Sequence, residues 1–372
     1  MAPVAAQATP YRRSLPRGLL SSALGASKIQ IYSDTSLSQP SSSSRHASSA
    51  SVATSQGGNA IRSIAWSPLG NLIATADTRI LRVWNPEKTP VKFSTELKLT
   101  PGQAGMPVTR HTPGGGHLTG TDRVAWNPVR EAELSSVGND ATVRFWDVRA
   151  RGGLAGDIKI GGEGFSMAWR PGGSSTAGSE LVVGTKDDKL IALDRRAMKV
   201  VSEVEQRVQT NGIAFSNSGR ELLLTTGEGH LKIVDWSSLD LLHTLNAHTS
   251  ACSVVQMCPR GRHIAVGGSD ALITVWDTTD FVCRHSLTDM SGPVRSVSFS
   301  FDGSYLAGGG DEPTDGPGGK GIQIVHAETG ETVHTITTPN ATPCVAWHPS
   351  RYLLAWSGEP SGLRIIGAGG AL

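Results

Sequence analysis

Long apolar runs and helical periodicity are both missing from this 372-residue chain. No stretch of 18 consecutive apolar residues occurs, so we expect no membrane-spanning helix. No window keeps the 3.6-residue apolar spacing of an amphipathic helix, whereas 44 glycines and 20 prolines interrupt the chain every few residues. This pattern predicts many short strands joined by turns, that is, an all-β fold.

An excess of one charge and paired cysteines are also lacking. The 34 basic and 32 acidic residues give a net charge of +2, which excludes a broad basic surface that holds nucleic acid by charge alone. The four cysteines lie far apart and form no C-x-x-C pair, so we predict buried or half-buried thiols and no zinc site. We therefore predict no metal and no other cofactor.

The amino-terminal region has its own composition. Residues 1–33 contain four basic residues and no acid, which is typical of a mitochondrial transit peptide or of a disordered basic tail; we favour a tail over residues 1–27. Residues 33–58 are rich in serine and have too little apolar surface to offset the entropy of ordering. They predict a flexible loop that offers phosphorylation sites.

One short strand pattern recurs seven times after residue 59, at intervals of about 42 to 60 residues. Its members share an alternating strand with an aromatic residue or methionine, as in SIAWSP and CVAWHP. A turn, an apolar strand, a tight turn and a further strand such as ATVRFWD (141–147) follow most copies. The shared positions are Trp66, Trp126, Trp169, Phe215, Met257, Phe299 and Trp347.

These repeats resemble the WD40 family, whose blades are four-stranded antiparallel units of about 40–45 residues. The resemblance covers residues 59–372 and implies a seven-bladed β-propeller. A single blade cannot bury both of its faces, whereas a ring of seven buries each blade against two neighbours.

One repeat carries the full set of residues that form a structural hydrogen-bond network in WD40 blades. A histidine, a serine and an aspartate together also suggest a catalytic triad, but the regular offset to a tryptophan favours the structural role. The four residues are His117, Ser136, Asp140 and Trp146.

The fifth repeat keeps part of the same set. His248, Asp270 and Trp276 are present, but Val266 stands where the hydroxyl is expected. The other five repeats lack the histidine. We expect those blades to depend more on packing, so that local stability varies around the ring.

The last repeat provides too few strands to complete its sheet. LRIIG (363–367) is its third strand, and a fourth has to come from elsewhere in the chain. KIQIY (28–32) alternates correctly and is predicted to be the outer strand of blade 7, which removes an exposed sheet edge.

The later repeats resemble the WD40 subunits of the nuclear THO and TREX assemblies. The segments that carry the resemblance are VVGTKDDKLIALD (182–194), residues 246–310 and residues 328–358. The serine-rich segment, the turn at 172–179 and the insert at 311–321 depart from it.

This resemblance implies a non-enzymatic scaffold in the nucleus that supports the assembly and export of messenger RNA particles. The implied partners are the other THO subunits, the TREX RNA helicase and export adaptors, with indirect or weak RNA contact. A WD40 adaptor of a ribosome-assembly or ubiquitin-ligase complex is the alternative.

The turns between the first and second strands of the blades gather at one mouth of the ring, here called the lower rim. Several carry arginine, which predicts a modestly basic partner-binding rim; the opposite, upper rim contains Asp140, Asp187, Glu228 and Asp270 and is expected to be more acidic. The lower-rim candidates are Arg170, Arg220, Arg260, Arg262 and Arg351.

We find no pattern that supports catalysis. GPGGKG (316–321) suggests a phosphate-binding loop, but Gly321 follows Lys320 where serine or threonine is required. A propeller enzyme would need convergent acids, metal ligands or a nucleophile in its central channel, and we predict no enzyme.

Overall fold

The structure is a computed structural model. A helix and a short strand near the amino terminus are its first elements. These are α1 (Arg17–Ala26) and β1 (Gln30–Tyr32). No helix among the described residues is both long and apolar enough to cross a bilayer. The structure describes residues 14–32, 61–77, 80–87, 94–99, 117, 120–150, 153–171, 178–311, 321–358 and 362–367.

Seven four-stranded antiparallel sheets follow around the ring. The first consists of β2 (Ser63–Trp66), β3 (Ile73–Ala76), β4 (Leu81–Trp84) and β5 (Ser94–Leu97). The second consists of β6 (Thr121–Trp126), β7 (Glu133–Gly138), β8 (Thr142–Asp147) and β9 (Leu154–Lys159). The third consists of β10 (Gly164–Trp169), β11 (Glu180–Thr185), β12 (Lys189–Asp194) and β13 (Lys199–Glu205).

The remaining sheets repeat this order. The fourth consists of β14 (Thr210–Phe215), β15 (Glu221–Thr226), β16 (His230–Asp235) and β17 (Leu241–Asn246). The fifth consists of β18 (Cys252–Met257), β19 (His263–Gly268), β20 (Ile273–Asp277) and β21 (Cys283–Leu287). The sixth consists of β22 (Val294–Phe299), β23 (Tyr305–Gly310), β24 (Ile322–His326) and β25 (Thr332–Ile336). The seventh consists of β26 (Val345–Trp347), β27 (Leu353–Gly358), β28 (Gly362–Gly367) and β1.

The first strand of each sheet contacts the first strand of the next, and β26 of the seventh sheet contacts β2 of the first. The sheets therefore form a closed ring with the first strands innermost. The predicted all-β, seven-bladed propeller is confirmed.

Burial changes systematically from the second strand to the fourth. β3 and β7 are buried along their whole length, whereas β13 and β17 are almost entirely exposed. Second strands lie between two neighbouring sheets and are covered on both faces, so most of their residues are apolar or small. The core consequently lies between successive sheets.

The outermost strand of the seventh sheet comes from the amino-terminal segment. β1 pairs antiparallel with β28, with Ile31 opposite Arg364 and Tyr32 opposite Leu363. The Tyr32 side chain is 2% exposed and its ring packs edge-on against Trp84 of the first sheet, with centroids 6.2 Å apart. β1 thus contacts both sheets at the closure of the ring, in the position expected for residues 28–32.

Over residues 14–27, the structure differs from the disordered tail that the sequence predicted for residues 1–27. Residues 14–27 are described and contain α1, because Leu20 and Leu24 are buried between the sixth and seventh sheets. Residues 1–13 and the predicted serine-rich loop (33–58) lie outside the described residues.

A series of hydrogen bonds joins the lower-rim turns of successive sheets. Each runs from a side chain in one turn to a group in the neighbouring turn. The bonds are Asn127 Nδ2 to Gly178 O (2.8 Å), Arg170 Nε to Gly219 O (2.8 Å), Asn217 Nδ2 to Cys258 O (2.9 Å), Tyr352 Oη to Asp302 Oδ2 (2.8 Å) and His348 Nε2 to Gly70 O (3.0 Å).

Candidate functional site

The four network residues predicted in the second sheet are brought together by the structure. Trp146 Nε1 donates to Ser136 Oγ (2.8 Å), and Ser136 Oγ lies 2.7 Å from His117 Nε2. His117 Nδ1 lies 2.7 Å from Asp140 Oδ1. Two strands of one sheet, the turn between them and the segment before the sheet are therefore tied together by these side chains.

The direction of the protons in this network follows from burial. Burial lowers the pKa of His117 more than Asp140 raises it, so the imidazole is neutral at pH 7. Its Nδ1–H then donates to Asp140, and its Nε2 accepts the Ser136 hydroxyl proton. Ser136 gives its proton to histidine and receives one from tryptophan, and its side chain is completely buried, so solvent and substrates do not reach the hydroxyl and the network holds the blade together.

A buried arginine completes the network in the second sheet. Arg144 is 3% exposed, and its Nη1 donates to Asp140 Oδ2 at 2.6 Å. Burial raises the pKa of Asp140, but the hydrogen bonds from His117 and Arg144 and the positive charge of Arg144 outweigh this and lower the pKa to about 2. Asp140 is therefore ionised and faces Arg144 rather than solvent.

The fifth sheet forms the same kind of network without the expected hydroxyl at Val266. Trp276 Nε1 donates to Thr274 Oγ1 (2.9 Å), which lies 3.2 Å from His248 Nε2. His248 Nδ1 lies 2.9 Å from Asp270 Oδ1. Sequence reasoning missed Thr274 because it lies on the third strand; its position two residues before the tryptophan is the signal that identifies it.

The five lower-rim arginines fall into two groups. Arg170 pairs with Glu180 (2.7 Å) and its side chain is 18% exposed, while Arg351 pairs with Glu87 (3.2 Å). Arg351 thereby joins the seventh sheet to the first, and Arg170 also donates to Gly219 of the fourth sheet, so neither is the open contact that the sequence predicted. The other three are exposed and form no ion pair within the described part of the chain: Arg220, Arg260 and Arg262.

The upper mouth of the ring differs from the predicted acidic rim. Asp140 and Asp270 point into the networks, with side chains 5% and 14% exposed, because each binds a histidine. A cavity of about 800 Å³ opens at this mouth, and residues from all seven sheets line it. Four of its lining residues are cations: Arg62, Arg123, Lys186 and Arg295.

Three of these cations are paired and one is not. Arg62 pairs with Asp122 (2.5 Å), Lys186 pairs with Glu163 (2.7 Å), and Arg295 pairs with Asp311. Arg123 forms no ion pair or side-chain hydrogen bond with any described residue. Within the described residues, the mouth therefore presents one uncompensated positive charge inside a ring of ion pairs.

The side chains that could bind a metal ion do not cluster in the described residues. These residues contain no group of three or more histidine, cysteine, aspartate or glutamate side chains placed to hold a metal ion. Cys252, Cys258 and Cys344 are buried, and burial raises the pKa of Cys344 to about 12, whereas Cys283 is exposed. Lys320 of the weak phosphate-loop pattern lies outside the described residues.

The chain belongs to the WD40-repeat family. The model of the WD domain, G-beta repeat, matches residues 38–85, 239–277 and 281–312. THO complex subunit 3 of Arabidopsis thaliana is 31% identical over 300 residues, which span 80% of this chain and 86% of that protein. The predicted resemblance to WD40 proteins and to this subunit is confirmed.

Two further similarities show how widely the fold is shared. WD repeat-containing protein AAC3 of Dictyostelium discoideum is 27% identical over 80% of this chain and 61% of that protein. The crystal structure of the Cps50 (Swd1) β-propeller domain of Myceliophteria_thermophila superposes with a TM-score of 0.67 at 17% identity, covering 84% of this chain and 98% of that domain. The latter similarity supports the fold alone.

Proposed function

We propose that this chain is a non-enzymatic scaffold subunit of a nuclear THO/TREX-type assembly, in which it supports messenger RNA particle assembly and export. The observation that carries the proposal is the 31% identity to THO complex subunit 3, which extends over 86% of that protein. The partners are the other THO subunits, the RNA helicase and the export adaptors.

The lower rim supplies the partner-binding surface in this proposal. Arg220, Arg260 and Arg262 extend from the turns of the fourth and fifth sheets, where no described acid neutralises them. Neighbouring turns are fixed by bonds such as Asn217 to Cys258, so the guanidinium groups are held on a rigid base. Such a cluster fits an acidic protein surface, whereas three phosphate contacts would give only weak, salt-sensitive RNA binding.

The test is affinity purification of the tagged chain followed by mass spectrometry, together with imaging of its location. We expect nuclear staining and co-purification of the large THO subunits. Recovery of ribosome-assembly factors or ubiquitin-ligase subunits instead would contradict the proposal and favour the alternative adaptor role.

A charge-reversal variant tests the rim separately. Replacing Arg220, Arg260 and Arg262 with glutamate is expected to reduce recovery of the THO subunits at least fivefold. The matched control carries the same change in net charge on or directly after the outer strands, at Lys98, Lys159 and Lys199. Equal recovery with both variants would remove the rim from the proposal.

A further inference from the structure

The cleft between the sixth and seventh sheets is occupied by the protein's own amino-terminal helix. Leu20 and Leu24, one turn apart on α1, are 0% and 2% exposed within an apolar cluster that also contains Tyr305, Tyr352 and Ile336. Leu19, on the opposite side of α1, is 59% exposed. The cleft thus receives one stripe of an amphipathic helix, as grooves that bind helical peptides do.

Two tyrosines at the end of this cleft bind the main chain just before the helix. Leu15 N–H donates to Tyr352 Oη (3.0 Å), and Tyr305 O–H donates to the Leu15 carbonyl oxygen. Tyr352 in turn donates its proton to Asp302 Oδ2 (2.8 Å). Both polar groups of the Leu15 main chain are recognised, and the Leu15 side chain packs against the apolar cluster, so this contact selects an apolar residue ahead of the helix.

A charged pair completes the recognition at the first turn of α1. Arg17 pairs with Glu331 on the turn that precedes β25. Ser21 Oγ lies 3.5 Å from His334 Nδ1, and a Cβ at Gly25 would lie 3.9 Å from the His334 ring. The cleft therefore recognises a pattern: an apolar residue, an arginine two positions later, and two leucines at three and seven positions after the arginine.

The resident helix is a weak occupant by its own sequence. It has only 10 residues, its N-cap Pro16 makes no side-chain capping bond, and its first turn has no acidic residue. Gly18 and Gly25 lower its helix propensity further. A helix of this length and composition is marginal in water, so α1 forms mainly through docking.

We propose that this cleft is a docking site for an amphipathic helix of a partner protein with the same pattern, and that α1 occupies it reversibly. A tethered occupant acts at an effective concentration of about 1 mM, so a free competitor at about 10 μM must bind roughly a hundredfold more tightly. A partner helix can meet this requirement through three differences from α1: a side-chain N-cap and an alanine at each of the two glycine positions. Each difference favours the helical state roughly fivefold, and the three together supply the required hundredfold. The proposal does not depend on which assembly contains the protein.

The experiment measures binding of a fluorescent peptide of residues 14–27 to three forms of the full-length chain. Leu20→Asp/Leu24→Asp empties the cleft, and Leu19→Asp is the matched control that leaves α1 docked. We expect the emptied chain to bind the peptide at least tenfold more tightly than the wild-type or Leu19→Asp chain. The same peptide with Leu20→Asp is expected not to bind.

Equal affinity for all three chains, or no binding to an emptied chain that retains its circular dichroism, would overturn the proposal. If the aspartate variant does not fold, Leu20→Ala/Leu24→Ala takes its place with the same expected order of affinities. Tyr305→Phe/Tyr352→Phe in the emptied chain is expected to weaken peptide binding at least fivefold, because the Leu15 contacts are lost. Unchanged binding to this variant would remove the tyrosines from the site.

Discussion

His348, in the turn after β26, donates its Nε2 proton to the carbonyl oxygen of Gly70, 3.0 Å away in the first sheet. Its Nδ1 accepts the backbone N–H groups of Ser350 and Arg351, both at 3.1 Å, which fixes the neutral tautomer. The imidazole also lies edge-on to Trp66, with ring centroids 4.7 Å apart. A single side chain therefore joins the last sheet to the first on the lower rim.

This contact predicts an unusually large cost for a side chain at Gly70. A Cβ there would lie 2.2 Å from the His348 ring, and the φ of Gly70 is +77°. Gly161 has the same φ but open space around the Cβ position, so Gly161→Ala isolates the backbone cost. In urea unfolding we expect a loss of about 1 kcal/mol for Gly161→Ala and about 2–4 kcal/mol for Gly70→Ala. Equal losses would show that His348 moves away without cost.

The same histidine predicts a pH dependence of stability. Burial lowers the pKa of His348 to about 4, more than its bond to Gly70 raises it. The unfolded state therefore binds more protons between pH 6.5 and 4, and stability falls as the pH decreases through this range. The loss from this group is roughly 2–3 kcal/mol.

The variant His348→Asn separates this effect from other titrations, because asparagine keeps an acceptor for the backbone N–H groups but does not titrate. We expect its free energy of unfolding to depend less steeply on pH between 6.5 and 4 than that of the wild-type chain. Parallel curves for the two proteins would contradict the assignment to His348.

The two histidine networks predict different costs for the same substitution. In the second sheet, Asp140→Asn removes the anion that faces the buried Arg144, and we expect a loss of about 3–5 kcal/mol. In the fifth sheet, Thr274 takes the place of that arginine. Asp270→Asn should therefore cost only about 1 kcal/mol. Thermal unfolding of both variants is the measurement, and equal losses would contradict a specific role for Arg144.

Much of the fold could be predicted from sequence because short strands with a fixed aromatic position recur around the ring. Trp126, Trp169 and Trp347 occupy the same position in their repeats because each side chain packs between neighbouring sheets. Helix α1 could not be predicted in this way. Only two of its residues are buried, and they are buried by sheets that lie some 300 residues away in the chain.

The candidate surfaces were less predictable because ion pairing depends on side-chain geometry that the sequence does not fix. Arg170 and Arg220 lie in equivalent turns of the third and fourth sheets, but only Arg170 forms an ion pair with a described residue, Glu180 of its own sheet. The basic upper mouth was missed for a similar reason. Arg62 and Arg123 stand at the beginnings of innermost strands, and only closure of the ring brings them together around one cavity.

Hydrogen–deuterium exchange at the ring closure tests the central claim, that seven sheets form a ring closed by β1, most directly. Tyr32→Ser removes a side chain that is 2% exposed and packs on Trp84, whereas Ile31→Ser alters a neighbour that is 57% exposed. We predict faster exchange in residues 353–367 and 81–84 for Tyr32→Ser, and none of this change for Ile31→Ser. Unchanged protection in both segments of a folded Tyr32→Ser chain would contradict closure by the amino-terminal strand.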